Sequence, residues 1–424
     1  MTATTQRTPV RRPLRVIGLD GFRGALAICI IVAHVGSHWA PGALRGTGLE
    51  VTAQAVVSFF VLSGFLIYWP FARAVIAGTS MRGKLADYAL SRVLRVFPGA
   101  TVAFVLAWLS GTLYLVNAYD AEGAGAAGGT AGSAGAGDSA IGRFGDPWRV
   151  LLHLTLQQSY LPSQLQTGIA PAWTLTIELA YYLLLPPLVA VCVLVLGRVA
   201  PSLGRYAVAA APGAVLIAVG LASKTAGTLW QQASGLEYGS SEWGPNALAV
   251  FSRSLPVWAD GFGWGMIAIV VWIAVEREAV GPRGLRTARL AGWIAMAAGL
   301  VAVVAAFVLV PRFISAGVAI ASLGVILLLA LPVKDGHSVW RVSHLVDNPV
   351  LLWLGKTSLS IYLLHMPVIL FLDRAGVDFP DTPLGLLTGA AVVLGTTVVL
   401  ASAVFLAVER PALRLRTLVK RRSA

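Results

Sequence analysis

Apolar runs of close to 20 residues recur from Leu19 to Glu409, and no other property of the chain restricts its possible folds as strongly. A run of that length crosses a bilayer core as an α-helix, because in lipid every backbone N–H and C=O must be satisfied within the segment. With 57% hydrophobic residues, 12% charged residues and a mean hydropathy of +0.77, too little charge is present to cover a water-soluble globule of 424 residues. The expected fold is all-α, a polytopic integral membrane protein of about ten transmembrane helices. The spans fall near 17–38, 52–72, 95–117, 172–196, 206–222, 256–275, 291–310, 313–332, 349–372 and 384–408.

An even number of spans puts both termini on one side. With the termini inside, 24 of the 32 Lys and Arg residues fall in inner segments, seven fall outside, and Lys356 falls within a span. That bias sets the expected orientation, with both termini cytoplasmic and the protein in the cell inner (plasma) membrane. It also explains the net charge of +13 without nucleic acid, which would need a basic stripe on a solvated domain. Cys29 and Cys192 both lie in apolar runs and offer neither a disulfide framework nor a cysteine-built metal site. The first apolar run carries Asp20, Arg23 and His34 and lacks a small-residue cleavage site, so it reads as a retained span. The organisation is a basic cytoplasmic segment, 1–16, a ten-helix domain, 17–408, and a basic cytoplasmic tail, 409–424. Residues 118–147 read as a flexible outer loop, since Ala121 to Ala140 holds 8 Ala and 7 Gly and has little apolar area to offset ordering. Trp148 to Thr167, with four glutamines among apolar residues, suits an interfacial or re-entrant piece over a cavity.

Ionisable groups inside hydrocarbon need partners, water or a function. Asp20, Arg23 and His34 fall within about 60° of one another on the first helix, with His34 about 16 Å beyond Arg23 along the axis. Such a face lines a cavity entered from the inner side. The same residues also allow an interfacial Asp20–Arg23 pair with His34 as a packing group, or a metal pair with His38 for which no third ligand stands out. Glu178 follows Trp173 by five residues and, counted from the outer surface, comes to a depth similar to that of His34. A carboxylate there would orient an imidazole acting as general base; bonding to backbone or hydroxyl groups is the structural alternative. In span nine, Ser358, Tyr362 and His365 lie on one face, with Lys356 just before them, forming a possible second polar stripe. Arg92 and Arg95, three apart at the membrane entrance, suit phosphate oxygens, although ordinary inner-side placement explains arginines there too. Ser63 and Gly64 mark close helix packing.

Together these segments resemble the membrane-bound acyltransferase family 3, integral-membrane O-acyltransferases acting on cell-surface polysaccharides, lipids or macrolides. The resemblance is carried by Leu19 to Gly24 with His34, Phe59 to Leu66, the Arg92/Arg95 pair before Pro98, Trp173 to Glu178, Leu354 to His365, and Glu409-Arg410-Pro411. It implies a ten-span core, a cytoplasmic acyl-CoA donor, commonly acetyl-CoA, an outward-facing acceptor hydroxyl, and an essential arginine and histidine matching Arg23 and His34. The expected site is therefore His34, Glu178, Arg23 and Asp20 for catalysis and Arg92, Arg95 and Arg23 for the donor, with no metal. The expected partners are membrane lipids, acyl-CoA and a carbohydrate or lipid-linked glycan. A macrolide-like acceptor is the alternative within the class. A proton-coupled secondary transporter using His34, Asp20 and Glu178 is the alternative outside it, and would show inverted repeats that this chain lacks.

Overall fold

The computed structural model describes residues 16–121, 140–334, 338–339 and 341–415; the basic segment 1–15, most of the Ala/Gly-rich stretch and the end of the tail lie outside the described residues. Among the described residues, nine helices are long and apolar enough to cross a membrane, and a bent pair, if counted as one span, makes ten. They are α1 (Leu19–Trp39), α2 (Leu49–Ala77), α3 (Leu85–Ser110), α4 (Ala170–Val199), α5 (Arg205–Ser234), α6 (Ala247–Glu276), α7 (Pro282–Leu309), α8 (Pro311–Ala330), the pair α9 (Pro349–Lys356) and α10 (Ser358–Arg374), and α11 (Pro383–Leu415). The chain is an all-α, multi-pass membrane protein. All ten expected spans have a counterpart.

Helices α2, α6 and α8 are the most enclosed, and α7 and α11 present most of their surface outward. Without a hydrophobic force between helices in lipid, close approach depends on small residues at the seams. A side chain at Gly64 or Gly265 would enter the α2/α6 seam at Phe262 O or Val61 O, and Gly299, Gly317 and Gly324 play the same part between α7 and α8. The seam that matters most for the site joins α1 to α9. Gly21, Gly24 and Gly355 lie directly against the backbone carbonyls of Val346, Leu351 and Asp20 respectively. The Asp347 carboxylate accepts from the Gly21 amide at 3.0 Å, satisfying one of the open N–H groups in the first turn of α1.

Three boundaries differ from the sequence expectation. Helix α3 begins at Leu85, ten residues before the expected start, so Arg92 and Arg95 stand on a continuous helix. The ninth span bends by 78° between α9 and α10, and the bend turns Lys356 out of the bundle to an exposed position. At both ends of 118–147 the chain is ordered: Ala118–Ala121 is helical, Ile141–Gly142 pairs antiparallel with Leu113–Tyr114, and Asp146 caps the short helix Pro147–Leu154.

Residues 140–172 fold back as a cap over one end of the bundle. Three 3-10 turns follow the short helix and lead into α4. Asn117 ties this cap to the α5–α6 connection by donating to Leu165 O at 3.0 Å and Trp243 O at 2.9 Å. Gly168 has φ +70° and exchanges backbone hydrogen bonds with Tyr114. A side chain there would also collide with the His153 ring, so glycine is required twice over.

Candidate active site

A cavity of about 120 Å3 with an open mouth runs between α1, α2, α3, α4 and α10. Arg23, Arg92, Arg95 and Glu178 line it with Ser63, Tyr182, Ser358 and Tyr362; Val56, Phe60, Leu66 and Val96 contribute apolar wall. On α2 the lining runs from Val56 to Ile67, so the cavity is about 16 Å long by helical rise.

Each arginine is held differently. Arg92 lies against the rings of Tyr182 and Tyr88, at 5.6 and 6.0 Å from their centroids, and donates to Ser91 Oγ at 2.9 Å. Its Nε is buried with no hydrogen-bond partner. Arg95 reaches the Glu409 carboxylate at 3.4 Å, and Glu409 is fixed in turn by the Ser360 hydroxyl. Arg23 has Arg95, Asp20 and Glu178 as charged neighbours. Ser358 Oγ, like Arg92 Nε, is buried without a partner. Buried polar atoms are ordinarily satisfied, so two orphans around one arginine-lined cavity mark a place for a ligand with acceptor oxygens.

Glu178 stands elsewhere than its count from the outer surface suggested. It accepts from Ser63 at 2.8 Å and belongs with Arg23, about 16 Å along α1 from His34. The reason lies in the cap: α4 starts deep within the bundle, with Ala170 to Ile177 entirely buried, so five residues of helix carry Glu178 past the His34 level. Among the described residues no carboxylate hydrogen-bonds to His34.

His34 is half-buried and lies next to His365, the two rings 5.0 Å apart at a tilt of 42°. Tyr362, whose ring is 5.8 Å from that of His365, separates this pair from the cavity. Its phenol donates to Pro171 O at 2.9 Å and accepts from Thr174 at 3.0 Å, which joins α10 to the start of α4. One turn beyond His34, His38 faces Asp373 at 3.6 Å. Of the second polar stripe, Ser358 and Tyr362 line the cavity and His365 meets His34, whereas Lys356 is excluded by the bend.

The family model for an acyltransferase domain, family 3, matches residues 16–408. The chain belongs to this acyltransferase family. No curated protein and no solved structure matches it. The six segments that carried the resemblance now have physical explanations in this acyltransferase. The glycines around Arg23 and before Lys356 permit the α1/α9 contact, Ser63 holds Glu178, and Glu409 holds Arg95. Tyr182 is a site residue that the sequence did not point to, while Ser63 was read there only as a packing position and Glu409 only as part of a resembling segment. For Glu409 a signal existed, a carboxylate at the end of the last apolar run; for Ser63 and Tyr182 none did, since hydroxyls in apolar helices are common.

Proposed function

We propose that this membrane acyltransferase moves an acyl group, acetyl in the simplest case, from cytoplasmic acyl-CoA to a hydroxyl of a carbohydrate or lipid-linked glycan presented at the outer face of the plasma membrane. The reading places both termini in the cytoplasm, as the arginine distribution favours. The observation that carries it is the convergence of Arg23, Arg92 and Arg95 on one elongated cavity whose far end stops one side chain short of two imidazoles.

Guanidinium forks suit the CoA phosphates, and the pantetheine arm spans the distance from Arg23 to the level of His34. In this reading the Tyr362 side chain turns aside, and His34 accepts the proton of the acceptor hydroxyl as its oxygen attacks the thioester carbonyl. The C–O bond forms, the C–S bond breaks, and the thiolate leaves with the proton returned by the imidazolium. Glu178 serves the donor end, balancing the charge of the arginines with Asp20, and Ser63 and Tyr182 hold it there. The apolar walls from Val56, Phe60, Leu66 and Val96 keep water sparse beside the thioester, which favours transfer to the bound hydroxyl over hydrolysis.

Purified protein in nanodiscs supplied with acetyl-CoA and envelope glycans tests the reading by CoA release and acceptor mass. Wild type should release CoA with an acceptor mass gain of one acyl group, and His34→Ala should bind acyl-CoA yet transfer nothing. A correctly inserted His34→Ala protein with the wild-type rate would refute the assignment.

A further inference from the structure

We infer that His365 is the positioning partner of His34: its Nε2 accepts the N–H of the His34 ring and leaves the other His34 nitrogen free to take the acceptor's proton. The inference rests on the reading of His34 as the proton-handling group and assigns the second component that such a group requires.

An imidazole acts as a base from one nitrogen only while the other carries its hydrogen and is held in place. Carboxylates usually do the holding. Here Glu178 is engaged by Ser63 among the arginines, and Asp373 faces His38 instead. His365 has the chemistry and the location. It is fully buried, and its Nδ1 lies 3.2 Å from Ile361 O, an acceptor only, so Nδ1 carries the hydrogen and Nε2 carries the lone pair. That Nε2 is buried without any hydrogen-bond partner. The nearest ring is His34, and a centroid separation of 5.0 Å lets a nitrogen of each ring come within hydrogen-bond distance when the rings turn toward one another.

A neutral partner has a specific consequence in a membrane. A carboxylate beside His34 would stabilise the imidazolium and retain the proton, and would itself need a counter-charge in the hydrocarbon. A neutral histidine orients the ring without either effect. In the transfer step His365 keeps its protonation state: the hydroxyl proton goes to His34 and then to the departing thiolate, while the N–H toward His365 stays in place.

Three variants in nanodiscs test this. His365→Phe keeps the ring volume and removes the lone pair, His365→Met repeats the test with a flexible filler, and His365→Gln returns an acceptor oxygen near the Nε2 position. Expected are a loss of at least about 100-fold in kcat for Phe and Met, a KM for acyl-CoA within about twofold of wild type, and recovery of at least about tenfold for Gln over Phe. Wild-type kcat in an inserted Phe or Met variant would overturn the inference, as would a Gln variant no faster than both. If wild type itself transfers no acyl group, the reading of function fails; if wild type is active, His34→Ala is dead and His365→Phe is fully active, only the present inference fails.

Discussion

Acidification should loosen the cap over the active site through one residue, His153. Its ring is 5% exposed, stacked 5.9 Å from Phe104 and bound to Arg149 O at 2.7 Å and Thr167 Oγ1 at 3.0 Å. Burial, with a smaller contribution from the Arg149 charge, lowers its pKa from 6.5 to about 4 against the opposing pull of the hydrogen bonds. The closed cap thus holds a neutral ring, and opening releases that ring to water, where it binds a proton below about pH 6.5. The open form therefore gains protons as the pH falls, and the closed form loses stability between about pH 6.5 and 4. At about 1.36 kcal/mol per pKa unit, the loss comes to about 2 kcal/mol at pH 5, or about thirtyfold in the open population relative to high pH, and saturates at about 3.4 kcal/mol well below pH 4. Hydrogen exchange of peptides within 147–172, corrected for intrinsic rates at pH 7 and pH 5, reads this directly. Between these two pH values wild type should lose about twentyfold in protection and His153→Gln should not. Equal wild-type protection at the two pH values, or a loss in His153→Gln as large as in wild type, would refute the reasoning.

The α1/α9 seam gives a second prediction: Gly355→Ala places a methyl against Asp20 O, so α9 must move outward, costing about 1–3 kcal/mol of thermal stability and at least about tenfold in acyl transfer. Gly46→Ala, with nothing within 4 Å, should leave both unchanged in the same melting and CoA-release assays. A third concerns the buried Lys224–Asp260 pair between α5 and α6, neither residue of which lines the cavity. Asp260→Asn strands the ammonium and should cost about 3–5 kcal/mol, whereas Asp260→Leu with Lys224→Met should recover most of it, as read by denaturation of the purified protein. Activity per folded molecule should stay within about twofold in the double variant.

Lengths of apolar runs were enough to establish an all-α bundle of nine crossings, ten with the bent pair counted as one, because a bilayer forces each run of that length into a helix and leaves few alternatives. The polar residues Arg23, Arg92, Arg95, Glu178, Ser358 and Tyr362 were likewise visible in advance, since each stands out in an apolar setting, and all line one cavity. Which of them meet was a different matter. Counting from the membrane surface put Glu178 beside His34, but depth depends on where a helix starts, and the start of α4 is set by a cap folded from a stretch without regular periodicity. The break that expels Lys356, the approach of Gly355 to Asp20, and the meeting of His34 with His365 across 331 positions of chain are likewise decided by contacts between distant segments. Local pattern fixes what each helix is; only packing fixes which faces oppose one another and at what height, and the chemistry of this acyltransferase depends on that height.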